Sequence, residues 1–161
     1  MIYCLDANTL IEAKNVHYAM DFCPAFWEMI ELENEKGQIF SIDFIYQELV
    51  KGNDELATWT KKQKENNLFM ETSDIETQMV YVEIVNYVND NYSEKEAHKF
   101  LDVADPWLIA KCKTIDATLV TKEVLALGAK RVKIPNICEV FDVKYMPTHE
   151  MIRALGVKFI L

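Results

Sequence analysis

The fold of the chain is decided by the stretch LDVADPWLIA, residues 101–110. Proline favours the first turn of a helix, and the residue before a proline is disfavoured in the helical conformation. We therefore expect Asp105 to cap a helix that begins at Pro106, because aspartate is a preferred N-cap residue. Two carboxylates, Asp102 and Asp105, then lie at a helix start, where backbone N–H groups favour negative charge. A plain N-cap and a functional acid both remain open on this stretch alone.

The composition predicts one globular domain over residues 1–161. Half of the residues are hydrophobic, enough for a sizeable core, and the few glycines and prolines argue against a turn-rich all-β sandwich. No apolar run approaches the roughly 20 residues that a membrane helix needs, and no signal-peptide pattern is present. The four cysteines show no C-x-x-C pairing. We therefore expect reduced thiols in a cytoplasmic protein without a membrane partner.

Short apolar runs alternate with helical patterns along the whole chain. Such alternation predicts an α/β fold, here a three-layer α/β/α domain with a mostly parallel central sheet of about five strands. The predicted strands lie at 2–5, 38–42, 68–70, 118–121, 132–134 and 157–161. The predicted helices lie at 7–11, 17–36, 43–52, 54–66, 75–91, 93–103, 106–115, 136–141 and 147–155. Asp74 and Ser93 are expected to cap two of these helices.

Four acids are expected at the carboxyl edge of this sheet, where ligands bind in parallel α/β folds. Asp6 and Glu123 closely follow predicted strands, Asp105 starts a helix, and Glu48 lies about one and a half turns into the helix after the second strand. A lone glutamate on an apolar helix face more commonly snorkels or pairs with a lysine. Converging carboxylates, however, repel one another unless a hard cation such as Mg²⁺ or Mn²⁺ neutralises them. A site of this kind can hydrolyse a phosphodiester.

The charge of the chain is unevenly distributed. The net charge is −9, and the first hundred residues carry all of the acidic surplus, whereas the remainder is slightly basic. Lys122, Lys130 and Arg131 belong to that basic part. A solvated basic face and a surface that binds an RNA backbone are both compatible with this pattern.

The chain resembles PIN-domain nucleases, including the VapC-type toxin ribonucleases of toxin–antitoxin pairs. The resemblance covers nearly the whole chain, with 54–92 the least characteristic part. It is carried by the segments YCLDANTLI at 3–11, YQEL at 46–49, ADPWLIA at 104–110 and LVTKE at 119–123. Each segment alone has little specificity, but their order and spacing together are typical of the family.

The resemblance implies metal-binding and catalytic acids at Asp6, Glu48, Asp105 and Glu123, the last of which stands where the family has aspartate. It implies that Asn8 and Thr121 orient the site. Asp102 lies one step outside the motif and is interpreted as a supporting or capping residue. The implied activity is metal-dependent hydrolysis of RNA, with tRNA or rRNA as substrate, Mg²⁺ or Mn²⁺ as cofactor, a homodimeric state and an antitoxin that covers the acidic site.

Two other functions stay open at this stage. The order Asp6, Ala7, Asn8 after the first strand has a faint similarity to haloacid-dehalogenase-type phosphatases, which require a second aspartate where Asn8 stands. A non-catalytic PIN-like module that binds RNA or protein is the other alternative, since Glu123 departs from the motif. A dinucleotide-binding role is disfavoured because no glycine-rich turn follows any strand.

Overall fold

The computed structural model describes all 161 residues, which form nine helices and five strands. The strands are β1 (Tyr3–Leu5), β2 (Ile39–Ile42), β3 (Phe69–Met70), β4 (Thr118–Val120) and β5 (Tyr145–Met146). The helices are α1 (Ala7–Glu12), α2 (Pro24–Glu35), α3 (Asp43–Val50), α4 (Glu55–Glu65), α5 (Ile75–Asn91), α6 (Glu94–Leu101), α7 (Asp105–Ile115), α8 (Ile134–Phe141) and α9 (Thr148–Ala154). A π-helical turn (Ala13–His17) continues α1.

All neighbouring strands of the sheet run parallel, in the order β3-β2-β1-β4-β5. Every residue of β1 and of β4 is buried. Because successive side chains of a strand point to opposite faces, this burial means that the sheet is covered on both sides. The α/β fold with a parallel central sheet of five strands, expected from the sequence, is therefore confirmed.

The core is one contiguous cluster of 36 buried hydrophobic residues. Near the carboxyl edge of the sheet, three aromatic rings stack across three helices. The ring of Trp107 on α7 lies 3.7 Å from that of Tyr81 on α5 and 5.0 Å from that of Phe44 on α3, centroid to centroid. This stack fixes the start of α7 against α3, which carries Glu48. None of the helices is both long and apolar enough to cross a membrane.

Several predicted elements differ from the structure. Residues 132–134 form no strand, because Pro135 occupies the first turn of α8, which begins at Ile134. Residues 157–161 also form no strand. The position beside β4 is taken instead by β5, through the pairs Leu119–Tyr145 and Val120–Met146. The helix predicted from residue 17 begins only at Pro24.

The predicted helix caps are confirmed at two positions and wrong at a third. Asp74 accepts a hydrogen bond from the Thr77 N–H, and Ser93 accepts one from the Glu96 N–H. Asp105 is not an N-cap, since Ala104 holds that position in helical conformation and Asp105 is the first residue of α7. The causes of its pKa shift are burial and neighbouring charges, with no hydrogen bond among them. The Asp105 carboxylate is therefore left free for another role.

Candidate active site

The strand order reverses direction between β1 and β4, and open α/β sheets bind ligands beyond the carboxyl ends of the strands at such a point. Asp6 directly follows β1, whereas Thr121 directly follows β4 and Glu123 comes two residues later. The Asp6 N–H donates to the Val120 carbonyl at 3.0 Å, which links the two strand exits. The topology therefore brings residues that lie more than a hundred positions apart to one crevice.

Asp6 is the most deeply buried acid of the site, with only 1% of its surface exposed. One carboxylate oxygen, Oδ2, accepts a hydrogen bond from the Thr121 hydroxyl at 3.0 Å. The other oxygen, Oδ1, accepts a long bond from the Asn8 N–H at 3.4 Å. The pKa of Asp6 is raised to about 6, chiefly by burial and to a smaller extent by the charges of Glu123 and Glu48, in spite of these two bonds.

The pKa of Asp105 is shifted further than that of Asp6. Loss of solvation raises its pKa from the usual 3.8 to about 8, and the charge of Asp6 is the next largest cause. Glu123 and Glu48 act in the same direction, whereas the Arg131 guanidinium lowers the pKa. The fold therefore holds several carboxylates close enough to repel one another, with too little positive charge to balance them.

Glu48 and Asp102 lie in a neighbouring cleft of about 240 Å³ between α3 and the start of α7. Glu48 Oε1 accepts a hydrogen bond from the Ala104 N–H at 3.1 Å, at the start of α7. This contact holds Glu48 against the segment that carries Asp105. Asp102 is exposed at the C-cap of α6, where its backbone N–H, and not its carboxylate, bonds the His98 carbonyl.

The acidic cleft itself has a volume of about 250 Å³. It is lined by Asn8, Glu96, Lys99, Phe100, Val103, Asp105, Glu123, Arg131 and Val132. Glu96 and Lys99 were not predicted as site residues, because both lie in the helix that Ser93 was expected to cap and no motif distinguishes them. Their position one helical turn apart shows that α6 presents a charged face to the cleft, and the two form an ion pair at 3.4 Å.

The three predicted RNA-binding cations do not line one surface. Arg131 lines the acidic cleft. Lys122 instead forms a salt bridge with Glu12 at 3.0 Å and borders a separate pocket between α1 and α9. Lys130 is exposed beside a third cleft, together with Tyr87 and Tyr92.

The acids of the site offer oxygen ligands to a divalent cation. No three acidic, histidine or cysteine side chains stand together as a ready-made group of metal ligands. The donor chemistry nevertheless fits Mg²⁺ or Mn²⁺, because both ions prefer carboxylate oxygens. No hydrogen bond is among the causes of the Asp105 pKa shift, and its pKa is raised partly by the charge of Asp6. A cation would favour the ionised form of both carboxylates and would neutralise their charge.

The fold defined by this sheet and crevice is that of solved VapBC structures. One similar chain belongs to VapBC2 from Rickettsia felis bound to a DNA fragment from their promoter, with 15% sequence identity and a TM-score of 0.55 over 91% of this chain and 98% of that one. Another belongs to VapBC-1 from nontypeable Haemophilus influenzae, with 14% identity, a TM-score of 0.53 and the same coverage. The likeness confirms the PIN-like fold.

The sequence family is established by a separate match. Residues 3–159 match the family described as "Domain of unknown function (DUF4411)". Because the match spans nearly the whole chain, the chain belongs to this family. No curated protein matches the chain significantly.

Proposed function

We propose that this protein is a divalent-metal-dependent endoribonuclease and the toxin of a toxin–antitoxin pair. The observation that carries the proposal is the pair Asp6 and Asp105, whose pKa values of about 6 and about 8 reflect burial and unbalanced negative charge. They lie at the strand reversal of a PIN-like fold. Acids perturbed in this way mark candidate functional sites in clefts.

In this proposal, Asp6, Glu48 and Asp105 hold Mg²⁺ or Mn²⁺. The ion, when bound, supplies an activated water and neutralises charge on the phosphodiester. Thr121 fixes one Asp6 oxygen through its hydroxyl, and the Asn8 N–H bonds the other. Such partners orient a metal ligand so that its free lone pairs face the ion. Glu123 borders the site, but its charge is already balanced by the Arg131 guanidinium at 2.8 Å.

The proposed substrate is structured RNA such as tRNA or rRNA, as the family resemblance implies. Arg131 lies in the acidic cleft, where it can contact the phosphate, and Lys130 lies beside two tyrosines on the adjoining surface. Exposed cations next to aromatic rings suit single-stranded nucleic acid, whose bases stack on such rings. Lys122 is the third proposed RNA contact, at the exit of β4.

The proposed partners follow from the similar structures. These structures are VapBC complexes. By extension, we propose that an antitoxin covers the acidic cleft of this chain and that the chain forms a homodimer. The proposed location is the cytoplasm, which suits the four unpaired cysteines.

A non-catalytic PIN-like module is the second candidate function. It is favoured by one observation, that the acids are not gathered into a group of three ligands. A haloacid-dehalogenase-type phosphatase is less favoured, because Asn8 stands where that chemistry needs an acid. A phosphatase would also form a phosphorylated Asp6, which a nuclease would not.

The decisive experiment is a calorimetric titration of Mn²⁺ into the wild type, Asp6→Asn and Asp21→Asn, followed by cleavage assays on tRNA and rRNA. Asp21 is an exposed aspartate outside the site and controls for the loss of one negative charge. We expect binding and cleavage in the wild type and in Asp21→Asn, and neither in Asp6→Asn. Absence of Mn²⁺ binding in the wild type would contradict the nuclease and support the non-catalytic module.

A further inference from the structure

Glu123 occupies the position of the fourth acid, yet the fold already uses both of its carboxylate oxygens. Oε1 accepts a hydrogen bond from Arg131 Nη2 at 2.8 Å, and Oε2 accepts one from the Ile134 N–H at 2.8 Å. The second donor, the Ile134 N–H, has no partner within the helix because it belongs to the first turn of α8, where a negative charge is stabilised. The Glu123 side chain is only 12% exposed. It therefore acts as an anchor between Arg131 and the start of α8.

Arg131 brings a positive charge into the acidic cleft. It lines the cleft together with Asp105, and it is close enough to lower the pKa of that acid. The other cation of the cleft, Lys99, is paired with Glu96. Only one nitrogen of the guanidinium bonds Glu123, and an arginine carries five N–H donors. The remaining donors are available to a phosphate group, which the planar guanidinium binds well.

A cation at Glu123 would share the carboxylate with these two donors, since each carboxylate oxygen has a second lone pair. It would also lie beside the Arg131 guanidinium, whose positive charge already balances the Glu123 carboxylate. The like charge disfavours a second metal ion at this place. The Arg131 side chain is 66% exposed but held at one end by its salt bridge to Glu123. A guanidinium in this place can stabilise charge on the phosphate, as a second ion does in two-metal nucleases.

We infer that the site takes a single divalent cation, held by Asp6, Glu48 and Asp105, and that Arg131, anchored on Glu123, supplies the second positive charge beside the scissile phosphate. The inference rests on the proposed function. It makes Glu123 a positioning residue that acts through Arg131.

The test is the stoichiometry of Mn²⁺ binding, measured by calorimetry and by electron paramagnetic resonance of paired Mn²⁺ ions. The variants are Arg131→Gln and, as a matched control, Arg153→Gln, which removes an exposed arginine from α9. We expect one ion per chain in the wild type and in Arg153→Gln. Arg131→Gln frees Glu123 and removes the competing charge, so that a second, spin-coupled ion binds.

Two ions in the wild type, or a single ion in Arg131→Gln, would overturn the inference while leaving the proposed nuclease intact. No ion in the wild type would overturn both. If Arg131→Gln fails to fold, Glu123→Gln gives the answer, since it should still bind one ion; loss of that ion would show that Glu123 is a ligand. In cleavage assays we expect Arg131→Gln to be about 100-fold slower at low Mn²⁺, with partial recovery in Arg131→Lys.

Discussion

Replacement of Asp105 by asparagine is expected to stabilise the metal-free protein, and to do so increasingly as the pH rises. The pKa of this carboxyl group is about 8 in the fold and 3.8 ordinarily, so the folded protein binds the proton more tightly than the unfolded chain. The stability that depends on this group is therefore complete below about pH 4 and is lost as the pH rises toward about 8. At pH 7 the loss is on the order of 4 kcal/mol, since each unit costs about 1.4 kcal/mol.

The assay is urea denaturation of the wild type and Asp105→Asn in the presence of a chelator, from pH 5 to pH 9. The difference in the free energy of unfolding should grow by about 1.4 kcal/mol per pH unit up to pH 8 and then level off. Asp21→Asn, which removes an exposed carboxylate, should show no such slope. A variant less stable than the wild type at pH 8, or a difference independent of pH, would refute the reasoning.

Addition of Mn²⁺ shows whether Asp105 is a metal ligand or only a buried acid. A saturating ligand at a hundred times its Kd stabilises the folded state by about 2.7 kcal/mol, and the wild type should gain this stabilisation. Asp105→Asn should gain much less, so the advantage of the variant should shrink with Mn²⁺ concentration. If both proteins gain equally, Asp105 takes no part in metal binding.

Three further outcomes are expected. Glu48→Gln keeps an oxygen for the Ala104 N–H and should fold normally, while its Mn²⁺ affinity in calorimetry falls by at least about tenfold. Thr121→Val removes the hydroxyl bond to Asp6 and should cost about 1.5–3 kcal/mol in urea denaturation above pH 6, and less at pH 5, where Asp6 is protonated; an equal loss at both values would contradict this. Lys130→Gln should weaken RNA binding and reduce the salt slope by about one unit, whereas an unchanged slope would show a merely solvated lysine.

The central strands could be predicted from the sequence because their local signal is strong. β1, β2 and β4 are short apolar runs that the fold buries on both faces. A strand buried on both faces is apolar along its whole length, so the sequence of each run indicates this burial. Caps such as Asp74 were predictable for the same reason, since a cap bonds a backbone group three residues away.

The elements that were predicted wrongly depend on partners distant in sequence. β5 has only two residues, and its identity as a strand follows from its pairing with β4. The segment 157–161 is apolar enough for a strand, but Phe159 packs instead near the rings of Tyr18 and Phe26. Nothing within five residues of a chain encodes which of two apolar segments pairs with a sheet edge.

The candidate site, like the fold, could be predicted from the sequence only in part. That Asp6, Asp105 and Glu123 approach one another follows from strand order and could be expected from the sequence, and their mutual influence on pKa agrees with it. The bonds of Glu123 to Arg131 and to α8 could not be expected. They depend on the path of the loop between β4 and α8. For residues 132–134 of this segment, next to Arg131, the sequence predicted a strand that the structure does not have.

The acids of this chain differ in how completely the fold satisfies them, and the difference singles out Asp105. Asp43 follows β2 much as Asp6 follows β1, but its carboxylate accepts bonds from the backbone and hydroxyl groups of Thr72. Asp74 pairs with Lys111 at 2.7 Å, which holds its pKa below the usual range. Asp105 has no such partner, and its ionisation destabilises the folded state near neutral pH. An aspartate that served only to stabilise the fold would lower its free energy, so the cost at Asp105 marks it as a candidate functional residue.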